Sequence, residues 1–234
     1  MPDHPIVTPS EWLEARKRLL AREKEFTRMR DALSAERRAL PWVKVDKAYR
    51  FEGPEGEVSL ADLFGLRRQL VVYHFMFAPD WEKPCKSCSF WADGFNGIST
   101  HLAARDTRLV AISRAPLAKL EARARQMGWT FPWYSQGESE FNRDFDVSFR
   151  HEELASGPVT YNYEPRATKM TDLPGISAFF RDGADVYHTY SCYARGLDIV
   201  NPAYNILDLT ALGRQEDDLP FSMSWVRLRD EYVA

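Results

Sequence analysis

A chain of 234 residues with 44% hydrophobic and 28% charged residues can bury a substantial core, and one elaborated globular domain is the default. A net charge of −3 gives no reason to expect nucleic acid or an anionic membrane as partner, and no apolar run approaches the roughly 18–20 residues that span a bilayer. Three cysteines do not make a disulfide scaffold, and the first residues lack a basic start followed by an apolar core, so a reducing cytoplasm is the expected home.

Thr8, Pro9, Ser10 and Glu11 read as a helix start: an N-cap, Pro at the first helical position and a capping-box Glu. No Gly or Pro follows until Pro41, which ends the helix. Trp12, Leu19, Phe26, Leu33 and Leu40 recur every seven residues, widened by Leu13, Leu20 and Met29. Such a stripe suits packing across the chain's own domain or a short dimerising coiled coil, and a homodimer through this helix stays open. Residues 1–41 are therefore expected to form a helical extension and residues 42–234 one compact unit.

Trp42 to Phe51 and Glu57 to Leu60 read as two strands about the turn cluster Gly53-Pro54-Glu55-Gly56. Leu70 to Phe77 is short, β-branched and aromatic, the pattern of a strand buried on both faces. Pro79 and Asp80 break it, and a helix is expected from Cys85 to Phe95. Thr107 to Ser113 is a second buried strand, and strand–helix–strand spacing demands a parallel pair. Pro116 to Met127 reads as a helix closed by Gly128, and Thr130 to Tyr134 as a short strand. Residues 135–175 show poor periodicity and are expected to pack irregularly. Ile176 to Phe180 and Val186 to Tyr190 form a hairpin about Asp182-Gly183, and Leu197 to Leu209 is a helical region interrupted by Pro202.

The chemistry concentrates at Cys85-Lys86-Ser87-Cys88. Backbone N–H groups in a first helical turn lack intrahelical acceptors. A cysteine placed there is held as thiolate, below its free pKa of about 8.5. Cys85 is the expected attacking sulfur and Cys88, one turn on, the buried resolving one. Lys86 adds local positive charge.

Cys-x-x-Cys is also half of a zinc site, although the second half has no counterpart in short ligand spacing among His4, His74, His101, His151 and His188. Cys85 and Cys88 with His74 and His188 would suit copper or zinc, against the reading in which both histidines are satisfied core residues. Two inert buried thiols are a further reading. Cys192, beside Tyr190 and Tyr193, reads as a small core or surface residue.

The order strand, Cys-x-x-Cys helix, strand, helix, hairpin resembles the thioredoxin fold. VSLADLF at 58–64 and GWTFP at 128–132 resemble its peroxiredoxin branch. More closely, the chain resembles a bacterial family of thioredoxin-like proteins of unknown function. The match is carried by Trp12 with Ala15-Arg16-Lys17, RRALPW at 37–42, YHFMF at 73–77, PDW at 79–81, and Cys85, Cys88, Ser89 and Phe90. It continues in SRAP at 113–116, GWTFPW at 128–133, HTYS at 188–191, ARG at 194–196 with Asp198, and LDLT at 207–210 with Gly213-Arg214.

That resemblance implies an α/β, thioredoxin-like fold: a mixed central sheet flanked by helices, with the long N-terminal helix added. It implies that Trp81, Pro84, Lys86 and Pro174 line the site, Pro174 as the candidate for the cis-proline set against the dithiol. Peroxiredoxins hold their reactive Cys with a Thr or Ser three residues before it and a distant Arg. Glu82 stands at the first position here and repels a thiolate if it points inward; Arg114 and Arg195 are candidates for the second. The expected activity is reduction of a small disulfide or peroxide by the Cys85–Cys88 dithiol, with electrons from an external thiol donor and no organic cofactor. The alternatives are the copper or zinc site above and a non-catalytic binding module.

Overall fold

The computed structural model describes residues 4–232, which divide into two compact units between Trp42 and Val43. The first is helix α1, Pro9–Ala39. Its capping box is complete: Thr8 Oγ1 accepts the Glu11 N–H, and Glu11 Oε2 accepts the Thr8 N–H at 2.9 Å. No residue of α1 is buried, and no described helix is long and apolar enough to cross a membrane.

The second unit runs β1 (Val43–Lys44), β2 (Arg50–Gly53), β3 (Gly56–Ser59), β4 (Gln69–His74), α2 (Lys86–Ala92), α3 (Ser99–Ala103) and β5 (Thr107–Ser113). It continues through α4 (Leu117–Met127), β6 (Trp133–Ser135), α5 (Phe141–Asp144), α6 (His151–Ser156), β7 (Val159–Tyr161) and β8 (Glu164–Arg166). Strands β9 (Gly175–Asp182) and β10 (Asp185–Tyr193) and helix α7 (Pro202–Leu207) complete it. The main sheet is mixed, in the order β1-β10-β9-β4-β5-β6-β2-β3, with β4, β5 and β6 parallel. Its middle, β10-β9-β4-β5, is the thioredoxin-like core: two parallel strands joined through a helix, flanked by an antiparallel hairpin.

Strand β4 organises both layers because its side chains alternate across the sheet. Leu70 and Val72 face one core with Ile112, Phe141 and Phe179. Tyr73 and Phe75 face the other, with Trp91, Trp129 and Trp133. Each large apolar side chain fully buried there contributes about 1.5–3 kcal/mol. Helix α4 ends at Gly128 in the left-handed region (φ 64°), where Trp129 N–H reaches back to the Ala124 carbonyl at 2.9 Å.

Two local expectations need correction. Trp42 to Phe51 is not one strand: β1 pairs with β10 at one side of the sheet, while β2 pairs with β3 and β6 at the other. As expected, Pro202 interrupts the helical region, following a 3-10 helix over Ala194–Val200. It begins α7, with Asn201 Oδ1 accepting the Tyr204 N–H as the N-cap. Residues 135–175 contain α5, α6 and the β7–β8 hairpin, seated on a small cluster of Val147, Phe149, Val159, Tyr161 and Tyr193.

Candidate active site

Cys85 is the N-cap of α2, fixed there by its own N–H bonding the Met76 carbonyl at 3.1 Å. Its carbonyl accepts both the N–H and the hydroxyl of Ser89, at 3.0 Å each. The sulfur is half-buried and accepts the Cys88 N–H at 3.5 Å. Cys88 is buried, and both thiols are free. The Cys85 pKa falls to about 7, chiefly because the Cys88 thiol hydrogen-bonds to its sulfur; the Cys88 and Ser87 amides and the Ser87 hydroxyl assist, and burial opposes. Burial, together with the neighbouring Cys85 sulfur, raises Cys88 well above the ordinary thiol range. One sulfur is thus an available anion near neutrality while the other keeps its proton.

Tyr73 reaches α2 from beneath, its hydroxyl 3.3 Å from the Cys88 carbonyl oxygen. Above the cysteines lies a cavity of about 410 Å³. Tyr73, Met76, Trp91, Leu197, Tyr204 and Met223 give it apolar walls, and Ser87, Asp198, Glu216 and three arginines supply its polar groups. Glu216 clasps one wall with a single oxygen: Oε1 accepts from the Tyr204 hydroxyl at 2.7 Å, the Met223 N–H at 3.0 Å and the Trp225 indole N–H at 2.7 Å. These residues come from far-apart stretches, so no local pattern announces the cavity. Ser87, between the two cysteines, is a lining residue that the Cys-x-x-Cys spacing itself brings to the site.

Of the expected lining residues, Pro174 faces the cavity, whereas Trp81, Pro84 and Lys86 are not among its walls. Trp81 packs against the core, and Lys86 Nζ approaches the Ser224 carbonyl at 3.4 Å. No cis peptide occurs among the described residues, Pro174 included. The segment before it is already drawn into extended pairing: Phe149 N–H bonds Thr171 O and Leu173 N–H bonds Val147 O, both at 2.9 Å. Glu82 is exposed. Arg114 is not near the sulfur pair's cavity; it is held bidentately by the buried Asp172, at 2.8 and 2.5 Å. Arg195 lines the cavity and pairs with Asp198 at 2.9 Å.

The four-residue metal set is not brought together. His74 follows Tyr73 in β4 and faces the opposite side of the sheet. There it stacks on Phe141 at 5.5 Å between ring centroids, with Nδ1 2.8 Å from Asn142 Oδ1 and Nε2 2.8 Å from Ser177 Oγ. Ser177 Oγ meets Ser191 Oγ at 2.8 Å, and Ser191 Oγ meets His188 Nε2 at 2.7 Å. Both histidines thus join one polar chain away from the cysteines. Among the described residues no three His, Cys, Asp or Glu side chains are grouped as metal ligands.

The bacterial family described as a protein of unknown function (DUF899) matches residues 1–232. No curated protein matches the chain. Among similar solved structures, a cysteine mutant of peroxiredoxin Q from Xanthomonas campestris has a TM-score of 0.45 at 16% identity, covering 67% of this chain and 90% of that one. Peroxidoxin BcpB from Mycobacterium tuberculosis gives 0.47 at 14%, covering 69% and 93%. A cysteine mutant of PrxQ from Xylella fastidiosa gives 0.43 at 12%, covering 68% and 88%.

Proposed function

We infer, for a chain that belongs to the bacterial DUF899 family, a thiol–disulfide oxidoreductase working through Cys85 and Cys88. One observation carries this reading: the Cys85 sulfur, its pKa lowered to about 7, accepts the backbone N–H of Cys88, whose own buried thiol lies one turn away, beside a cavity that admits a small molecule. Cys85 attacks as thiolate, a mixed disulfide forms, and Cys88 displaces the bound group to close an internal disulfide. An external thiol donor then restores the pair. Of the two arginines expected to assist peroxide reduction, Arg114 is committed to Asp172 and Arg195 to Asp198. Neither is a free guanidinium to polarise a peroxide oxygen.

The test treats reduced protein with an oxidised dithiol and counts free thiols by mass. The expected result is loss of two thiols in the wild type and a trapped one-to-one mixed disulfide in Cys88→Ser. Retention of all three thiols at equilibrium with a strong oxidant disulfide would end this reading.

A further inference from the structure

We propose that the dithiol's substrate is a small organic disulfide bearing a carboxylate, bound in the cavity with its anionic end on Arg166. This rests on the oxidoreductase reading and names the substrate for it. Two independent features carry it.

The first is that two main-chain groups in the wall beside the sulfur pair, at Pro174 and Ala194, are already taken. The Tyr161 hydroxyl donates to the Pro174 carbonyl at 2.8 Å and accepts the Ala194 N–H at 2.9 Å. Pro174 and Ala194 both line the cavity, so one phenol occupies a carbonyl and an amide that would otherwise be open to strand addition by a protein substrate there. A cavity of about 410 Å³ lies within the roughly 300–1,000 Å³ typical of small-molecule sites.

The second is the charge ledger of the lining. Asp198 is taken by Arg195 and Arg214, at 2.9 and 3.0 Å. Arg214 is further bound to Asp208 at 2.7 Å and lies 4.0 Å from the Tyr204 ring centroid. Glu216 is spent on three protein donors. Arg166 has no carboxylate partner among the described residues; its guanidinium stands 5.5 Å from the Tyr161 ring centroid. The phenol that occupies those two main-chain groups also lies beside the one uncommitted cation of the lining, and a planar guanidinium binds carboxylate bidentately.

The reaction balances without another co-reactant. Cys85 thiolate attacks one substrate sulfur, the substrate S–S bond breaks, and the first thiolate leaves. Cys88 then attacks the Cys85 sulfur and passes its proton to the second departing thiolate. Two electrons move from the protein dithiol to the substrate, which ends as two thiols.

The experiment mixes reduced full-length protein with dithiodipropionate, neutral hydroxyethyl disulfide, cationic cystamine or insulin. Each rate is divided by that of a free small thiol, which removes intrinsic charge effects. The wild type is expected to prefer dithiodipropionate over cystamine by roughly ten-fold. Arg166→Gln should abolish that preference, and Arg166→Lys should restore part of it. An unchanged preference in Arg166→Gln, or insulin reacting faster than every small disulfide, overturns the proposal while leaving the oxidoreductase reading intact. Failure of all four probes, with no mixed disulfide trapped in Cys88→Ser, removes both.

Discussion

The sulfur of Cys85 is the acceptor, and Cys88 is twice the donor: its backbone N–H lies 3.5 Å away and its thiol is the largest cause of the depressed Cys85 pKa. The second cysteine therefore activates the first before it resolves it. That coupling makes the two roles separable by titration.

Alkylation of Cys85 by a neutral reagent is expected to rise with pH through a midpoint of about 7 and then level off. The sign follows from the thiolate being the nucleophile, with a pKa lowered in the folded state. Cys88→Ala removes the thiol donor but leaves the amides, so its midpoint should move upward, toward the ordinary thiol range. Ser87→Ala should move it upward by less. Mass-resolved alkylation across pH 5 to 10 checks both, and an unmoved midpoint in Cys88→Ala would show that the amides alone hold the anion.

Arg114 and Asp172 give a stability prediction. The Asp172 side chain is 4% exposed and accepts two hydrogen bonds from Arg114, with further ones from Ser148 at 2.9 Å and Thr171 at 3.1 Å. Removing the guanidinium strands a buried carboxylate, and breaking such a pair from one side costs about 3–5 kcal/mol. Arg114→Ala is expected to lose that much in urea unfolding. Arg114→Lys should recover only part, since a point charge cannot reproduce the fork. Arg114→Ala combined with Asp172→Asn should be milder than Arg114→Ala alone, because no buried charge is left behind.

The elements legible from the chain are those whose signals are local. Leu70 to His74 declares a strand buried on both faces by its unbroken apolar run, and Thr8 with Glu11 declares a helix start. Cys85 and Cys88 announce their chemistry by spacing alone. The cavity is a different matter: Arg166, Pro174, Ala194, Tyr204, Glu216 and Met223 meet only through folding, and nothing in their separations encodes the meeting. Pro202 marks a break in the helical region by its type alone, while the Asn before it shows that the break is also a helix start. Of the two readings open for His74 and His188, the satisfied core histidine holds, and the period of two in β4 already sets His74 on the face opposite Tyr73.

That opposite face yields an acid response. Burial lowers the His74 pKa from its usual 6.5 to about 4, opposed only by the Asn142 hydrogen bond, and burial lowers His188 as well. A base depressed in the folded state binds its proton later there than in the unfolded chain. As pH falls below about 6.5 the unfolded chain takes up the proton first, so stability declines until the folded His74 also titrates near pH 4. For His74 alone the loss across that window is on the order of 3 kcal/mol. Urea unfolding at several values between pH 7 and pH 4 should show stability falling with acid, and His74→Gln should flatten the decline even if it lowers stability at neutral pH. Because Cys85 sits on the other side of the sheet, the alkylation midpoint of Cys85 in His74→Gln should stay where it is in the wild type. A shift in that midpoint would mean that the polar chain through Ser177 and Ser191 communicates with the dithiol across the sheet.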